Sequence, residues 1–222
     1  MITKIKLPFL FILLLIVSSY NPLKLNTYQS FFFPIKNIII SETILMDNDS
    51  LSRELEFLRN KNILFLNKEK IKRISNNYDF ISNLKIKRIY PSTIKIIISE
   101  KKPIAILIYG KKKSYISNTG EKITFVDVEE YKNLPLVFGN QKGFEIFYRE
   151  LKEAKFPIDK IDEFYFFESN RWDVILNDKK ILRLPATNYK EVLKNFKTII
   201  NDVNFSKFKV FDYRIKDQLI LK

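Results

Sequence analysis

Few side chains in this sequence could do acid–base or nucleophilic chemistry. The 222 residues include no cysteine and no histidine, so the chain lacks a thiolate nucleophile, the commonest metal ligand and the usual general base at neutral pH. The best remaining charged pairs are Glu100 beside Lys101, and Asp212 two residues before Arg214. Such neighbours are typical of exposed or structural ion pairs, which contribute about 0 to 1 kcal/mol each. We therefore expect no catalytic residues, no bound metal and no cofactor.

The chain is strongly basic, with a formal net charge of +14 at pH 7. Such a surplus is found in nucleic-acid-binding proteins, but here the lysines are spread along the whole chain instead of clustering on one element. The sequence is also rich in lysine, asparagine and isoleucine, a bias that AT-rich coding alone would produce. A basic nucleic-acid-binding membrane protein therefore stays an alternative, and attraction to anionic lipid is a milder consequence of the charge.

An apolar run near the N-terminus predicts a membrane anchor. It follows Lys4 and Lys6, and no charge interrupts it before Lys24. Counted to residue 23 it is just long enough to cross a bilayer, which needs about 20 apolar residues, and its lysines predict a cytoplasmic N-terminus. A cleaved signal peptide has the same layout, so both interpretations stay open. The predicted anchor residues are Leu7, Phe9, Leu10, Phe11, Ile12, Leu13, Leu14, Leu15, Ile16 and Val17.

Residues 1–23 are thus predicted to form a short cytoplasmic tail and a transmembrane anchor, and residues 24–33 a linker. Residues 34–102 then carry the pattern of a small domain. A strand is predicted at 35–40, and apolar residues recur at helical spacing first from Leu51 to Leu58 and then around Ile71. On both sides of Tyr90-Pro91-Ser92-Thr93 apolar and polar residues alternate, which predicts two strands joined by a tight turn. The predicted order is β-α-α-β-β.

This hairpin resembles the end of a POTRA domain and, more narrowly, the same segment of the bacterial cell-division family FtsQ/DivIB. The similarity runs from Ile81 to Ala105, and it includes Arg88, Tyr90-Pro91 and Glu100. Lys101 departs from the family, which usually has arginine there, and the lysine keeps the charge without the planar bidentate group. The resemblance implies a POTRA domain at residues 34–102, with a three-stranded sheet and two helices on one face.

Residues 103–222 are predicted to form a second domain of mixed α/β type with an extended antiparallel sheet. Its local similarities to the family are Leu134-Pro135 with Gly139, then Arg171-Trp172-Asp173, and near the end Asp212 with Arg214. Tyr213 stands between the last two, where the family has leucine. The predicted fold class is therefore α+β, with a transmembrane helix, a POTRA domain and this mixed domain in succession.

The resemblance implies a non-enzymatic divisome scaffold, anchored in the inner membrane with its bulk in the periplasm at the septum. It also implies FtsB-like and FtsL-like single-span division proteins as partners. No residue follows Lys222 to cover the last strand, so we expect its edge to accept a partner strand. The predicted partner-binding residues are Tyr213, Arg214, Ile215, Leu219, Ile220 and Leu221. The predicted surface residues of the POTRA domain are Arg88, Tyr90 and Glu100.

A component of a membrane protein assembly or secretion system is a further alternative, because POTRA domains also occur in such proteins. That function would need many more amphipathic strands than residues 103–222 can supply alongside two predicted helices.

Overall fold

The structure is a computed structural model that describes residues 6–18, 33–46 and 48–222. The predicted cytoplasmic tail, the end of the predicted anchor and nearly all of the predicted linker, at residues 1–5 and 19–32, lie outside the described residues. Helix α1 (Lys6–Ser18) contains the predicted anchor residues, and its side chains from Phe9 to Val17 are exposed. Among the described helices, none combines the length and the apolar character that crossing a bilayer requires.

The chain divides into two compact units. The first contains the residues up to 77 together with 83–98, and the second contains 78–82 together with 99–222. The domain limits predicted from the sequence, at 34–102 and 103–222, stay predictions.

A small sheet organises the first unit. Its strands are β1 (Asn37–Ile40), β2 (Ile81–Ile89) and β3 (Thr93–Glu100). They form a three-stranded sheet in the order β1-β3-β2, in which β1 runs parallel to β3. The turn between β2 and β3 contains the cis Tyr90–Pro91 peptide bond.

Two short helices lie between β1 and β2 in the chain. They are α2 (Asn48–Leu55), which continues into a 3-10 turn (Glu56–Leu58), and α3 (Lys68–Ser75). The side chain of Asn67 accepts a hydrogen bond from the backbone N–H of Lys70 at 3.1 Å and so caps α3. Leu51, Leu55 and Ile71 are buried on these helices, as are Ile94 and Ile96 on β3. The predicted β-α-α-β-β order is therefore confirmed.

The second unit contains a larger sheet and two longer helices. Its strands are β4 (Pro103–Tyr109), β5 (Lys112–Ser117), β6 (Lys122–Thr124), β7 (Leu136–Phe138), β8 (Ile161–Phe167), β9 (Arg171–Leu176), β10 (Ile181–Arg183), β11 (Val210–Asp212) and β12 (Ile220–Leu221). They form a nine-stranded sheet in the order β12-β11-β10-β9-β8-β7-β4-β5-β6. Helix α4 (Phe144–Glu153) lies between β7 and β8, and α5 (Tyr189–Ile199) lies between β10 and β11.

The prediction of an extended antiparallel sheet is wrong in part, because this sheet is mixed. β4 with β7, β7 with β8, and β10 with β11 are parallel pairs, and the other neighbours are antiparallel. Parallel neighbours that follow one another in the chain need a crossover connection, usually a helix. Helices α4 and α5 are such crossovers, and periodicity alone indicates a helix without giving the direction of the strands that it joins.

The core of the second unit lies between the sheet and these two helices. Phe147 of α4 stacks on Trp172 of β9, with ring centroids 5.0 Å apart and ring planes 1° from parallel. Phe196 of α5 packs edge-on against Phe211 of β11, with centroids 5.0 Å apart. All four side chains belong to one buried cluster, so α5 holds β11 in place next to the last strand.

Candidate partner-binding edge

Strand β12 forms one edge of the nine-stranded sheet. Val210 and Lys222 exchange two backbone hydrogen bonds of 3.0 and 3.1 Å, and Phe211 pairs in register with Leu221. In an antiparallel pair, residues bonded to the neighbour alternate with residues whose N–H and C=O point away from it. The backbone groups of Leu221 therefore point away from β11, to the side of β12 where the described residues place no strand.

A side chain closes the opposite edge, at β6. The backbone N–H of Thr124 donates a hydrogen bond to Oδ2 of Asp79 at 2.8 Å, and the Thr124 hydroxyl donates to the same oxygen at 2.7 Å. A carboxylate that occupies an outward N–H obstructs any strand that would pair there. The described residues place no equivalent side chain on the outward backbone groups of β12, so the two edges differ.

The predicted partner-binding residues lie together around β12, with unequal exposure. Ile215, on the connection between β11 and β12, is 51 % exposed, and Ile220 on β12 is 38 % exposed. Leu219 and Leu221 are half-buried and pack against the core cluster. The exposed side of the edge is thus apolar at two positions, which is the kind of surface that an added strand could cover.

Tyr213 lies beneath this surface, since it is only 8 % exposed. Its hydroxyl donates a hydrogen bond to Oδ1 of Asn195 on α5 at 2.6 Å, and its backbone N–H donates to the carbonyl of Arg183 at 3.0 Å. Burial raises the pKa of Tyr213 to about 12, so the hydroxyl remains a donor at neutral pH. Tyr213 ties the end of β11 to α5 and leaves little of its side chain for a partner to contact.

Arg214 is held by a row of charges that crosses the sheet. Asp173 of β9 pairs in register with Arg183 of β10, and Arg183 pairs with Asp212 of β11. The Nε of Arg183 lies 3.7 Å from Oδ2 of Asp173, and its Nη1 lies 3.5 Å from Oδ2 of Asp212. Arg214 donates to Asp212 through Nε at 2.8 Å and through Nη2 at 2.6 Å. The guanidinium of Arg214 is therefore fixed in orientation beside the β12 edge.

The two carboxylates of this row differ in protonation behaviour. The hydrogen bonds from Arg214 lower the pKa of Asp212 to about 2, against the opposing effect of burial. Burial raises the pKa of Asp173, and the nearby charges of Arg171 and Arg183 offset this only in part. Oδ1 of Asp173 is buried without a hydrogen-bond partner. Asp212 is therefore the more strongly bound carboxylate of the row, and Asp173 is the more weakly bound one.

A groove of about 580 Å³ lies beside these residues. Residues 185–188 and the first half of α5, including Val192 and Asn195, form one wall, and residues 213–219 form the other. Leu219 lines the groove and leads directly into β12. A peptide that paired with β12 would therefore have a recess next to it for side chains.

The predicted POTRA surface residues do not form one cluster. Arg88 lies near the end of β2, half-buried with its Nε lacking a hydrogen-bond partner, and Tyr90 is 56 % exposed in the turn that follows. Glu100 is half-buried at the end of β3 that is distant from this turn. Arg88 and Tyr90 could act together, whereas Glu100 lies apart from them.

Three contributors to the candidate edge, and the residue that closes the opposite edge, were missed by sequence reasoning. Asp173 was noted only as part of a motif, and Arg183, Asn195 and Asp79 were not singled out. Opposite charges on alternating positions of β9, β10 and β11 could have indicated a cross-strand row, but only if the order of the strands had been known. Within the described residues, no three acidic side chains converge as metal ligands would.

Two family models match this chain. The model of the FtsQ/DivIB cell division protein C-terminal region matches residues 105–214, and the model of the FtsQ-type POTRA domain matches residues 33–101. The chain belongs to the FtsQ/DivIB family of cell division proteins. The C-terminal match ends at Arg214, so the segment from Ile215 to Leu221 lies beyond it.

Curated relatives carry the same family name. A protein named Cell division protein FtsQ from Rickettsia bellii is 28% identical over 209 residues, which cover 90% of this chain and 77% of that protein. A protein of the same name from Rhizobium meliloti is 21% identical over 155 residues, which cover 69% of this chain and 50% of that protein. The chain thus spans about three quarters of the first relative and half of the second.

One solved structure overlaps part of the chain. It is the major extracytoplasmic domain of the trans isomer of the cell division protein DivIB from Geobacillus stearothermophilus, with 14% identity and a TM-score of 0.34. The overlap covers 48% of this chain and 96% of that one.

Proposed function

We propose that this FtsQ/DivIB-family protein is a non-enzymatic scaffold of the division machinery. In this proposal, residues 1–23 anchor it in the inner membrane and the domains at 34–102 and 103–222 lie in the periplasm at the septum. Family membership supports the role in division. The apolar α1 together with Lys4 and Lys6 supports an anchor with a cytoplasmic N-terminus.

The proposed partners are FtsB-like and FtsL-like single-span proteins, through which the scaffold links early and late division proteins. The observation that carries this part is the β12 edge, where the N–H and C=O of Leu221 point outward and Ile220 is exposed. Strand addition uses such groups for affinity and uses side-chain recesses for specificity. The groove beside Leu219 is one such recess, and Arg214 offers a fixed cation at its rim.

Capture of the partner tests the proposed edge. A tagged FtsB-like protein from the same organism is used to pull down the full chain, either unchanged or carrying Ile215→Asp and Ile220→Lys together. Both side chains are exposed, so the double variant should fold, and circular dichroism checks this. We expect loss of capture, because a charge at each position must be desolvated when a strand covers it.

Val203→Lys is the matched control, because Val203 is an apolar residue of the same unit that is 83 % exposed. It should leave capture unchanged. Undiminished capture by the folded double variant would reject the β12 edge as the binding surface.

The location of the protein tests the role in division separately. A fluorescent fusion of the full chain should form a band at mid-cell in dividing cells. A uniform peripheral signal would count against the division role, even if the partner is bound in solution.

A further inference from the structure

Three exposed apolar side chains of the first unit lie on two neighbouring segments of the chain, at residue 33 and at residues 64–65. Phe33 is 46 % exposed, Leu64 is 43 % exposed and Phe65 is 66 % exposed. We name these three side chains the apolar tip. Two backbone contacts join the segments that carry it, since Ile63 N–H donates to the carbonyl of Phe33 at 3.0 Å and Pro34 forms a β-bridge with Asn62.

The local fold directs the tip outward. Ile63 is 0 % exposed and Leu66 is 8 % exposed, so the two ends of the apolar run 63–66 enter the core while its middle does not. Oδ1 of the buried Asn62 accepts a hydrogen bond from Leu64 N–H at 2.8 Å, which fixes the bend that turns residues 64 and 65 away from the core. The backbone conformation of this loop therefore keeps the side chains of residues 64 and 65 exposed.

Basic residues surround the tip. Lys36 and Lys61 are exposed on the same two segments, and Ile35 N–H donates to the carbonyl of Lys61 at 2.9 Å. Arg59 donates through Nη1 to the carbonyl of Lys36 at 2.7 Å and pairs with Glu56. In the part of the chain that the structure describes, Lys36 and Lys61 have no carboxylate within ion-pair distance. The rim of the tip thus carries uncompensated positive charge.

We infer that the apolar tip lies in the headgroup region of an anionic bilayer, as a second membrane contact in addition to the anchor. This inference rests on the proposed anchoring of residues 1–23. Only residues 19–32 separate α1 from Phe33, and 14 residues reach at most about 50 Å when fully extended, so the tip can return to the membrane from which the chain emerges. Phenylalanine and leucine flanked by lysine are typical of interfacial contacts.

A lipid surface fits the tip better than a protein partner does. A stable protein interface takes about 20 to 30 residues on each side, whereas the tip offers three apolar side chains and a basic rim. Lipid headgroups need no matching shape, and anionic ones neutralise Lys36 and Lys61.

Site-specific labelling of the full chain in liposomes containing anionic lipid tests the inference. The chain has no cysteine, so Phe65→Cys introduces a unique site for an environment-sensitive fluorophore. We expect a blue-shifted emission and strong quenching by a quencher attached to the lipid headgroups. Val203→Cys labels another apolar position, which is 83 % exposed, and its label should show neither effect.

A third label separates failure of this inference from failure of the anchor. With Leu13→Cys in α1, quenching by a quencher deep in the acyl region shows that the anchor is inserted. An inserted anchor with an unshifted label at position 65 would overturn the inference alone. A blue shift at position 65 without quenching by lipid would indicate burial against protein, and it would overturn the inference as well.

The basic rim gives a further readout. The variant with Lys36→Glu and Lys61→Glu, labelled at position 65, should lose most of the quenching in anionic liposomes. The chain that is labelled at position 65 and keeps both lysines should show much weaker quenching in purely zwitterionic liposomes than in anionic ones. Equal quenching in both lipid mixtures would contradict the role assigned to the lysines and with it the anionic bilayer.

Discussion

Arg214 binds Asp212 through two parallel hydrogen bonds, from Nε to Oδ1 at 2.8 Å and from Nη2 to Oδ2 at 2.6 Å. Asp212 is 4 % exposed on β11, and Arg214 stands at the start of the connection to β12. The pair links the interior of the sheet to the edge that we propose as the partner site. Its removal should therefore affect both stability and the edge.

Asp212→Asn should lower the free energy of unfolding by about 2 kcal/mol, because it leaves the guanidinium groups of Arg183 and Arg214 without their shared carboxylate. Urea unfolding of the full chain in detergent, followed by the fluorescence of the single tryptophan, measures this. Glu129→Gln is the control, since Glu129 pairs with Lys132 on the surface and should contribute about 0.5 kcal/mol or less. Equal effects of the two substitutions would contradict the structural role of Asp212.

Acid should weaken the same pair. The pKa of Asp212 is lowered from 3.8 to about 2, and a lowered pKa gives stability that is present above the ordinary value and is lost as pH falls through the lowered one. The shift corresponds to about 2 kcal/mol. We expect the difference in unfolding free energy between the unchanged chain and Asp212→Asn to shrink between about pH 4 and pH 2. A difference that stays constant across this interval in thermal melts would be inconsistent with the pair.

The stack of Phe147 on Trp172 should dominate the packing of α4. Phe147→Ala should cost about 3 to 5 kcal/mol, because it opens a cavity beside a fully buried ring. Ile146→Ala changes the neighbouring residue on the same helix, where the side chain is 50 % exposed, and should cost about 0.5 kcal/mol. Chemical unfolding measures the free energy of unfolding of both variants. Similar losses of stability would show that the stack is not the contact that holds α4.

Gly139, directly after β7, should not tolerate a side chain. Its φ is +97°, and a Cβ would lie 2.6 Å from the carbonyl oxygen of Phe166. Gly139→Ala should therefore cost more than about 2 kcal/mol. Gly110→Ala also introduces an alanine at a positive φ, of +59°, but its Cβ would have no neighbouring atom within 4 Å. This substitution should cost only about 1 kcal/mol. A shift in melting temperature that is no larger for Gly139→Ala would contradict the close approach of β7 and β8.

The sequence predicts the first unit well because its signals are local. The spacing of Leu51 and Leu55 and the alternation around Tyr90-Pro91 depend only on neighbours in the chain, and each marks one face of one element. The family resemblance around Arg88 implies a three-stranded sheet, which these periodicities alone cannot provide. The element order of the first unit can therefore be predicted from the sequence.

The features that the sequence does not reveal depend on pairing between distant segments. The row from Asp173 through Arg183 to Asp212 exists because β10 lies between β9 and a parallel β11, which no periodicity encodes. The family resemblance and the edge of the last strand predict a partner-binding role for Tyr213, but this side chain is only 8 % exposed and its hydroxyl donates to Asn195 on α5. The closure of β6 by Asp79 likewise joins residues 45 positions apart.

Amide hydrogen exchange at Leu221 tests the proposed strand addition most directly. In the free chain, the amide of Lys222 should be protected because it donates to the carbonyl of Val210, while the outward amide of Leu221 should exchange quickly. With the FtsB-like partner bound, we predict that the Leu221 amide becomes protected and that exchange at Thr124, on the opposite edge, is unchanged. If the partner is bound and the Leu221 amide still exchanges as fast as in the free chain, the partner does not pair with β12 and strand addition at this edge is contradicted.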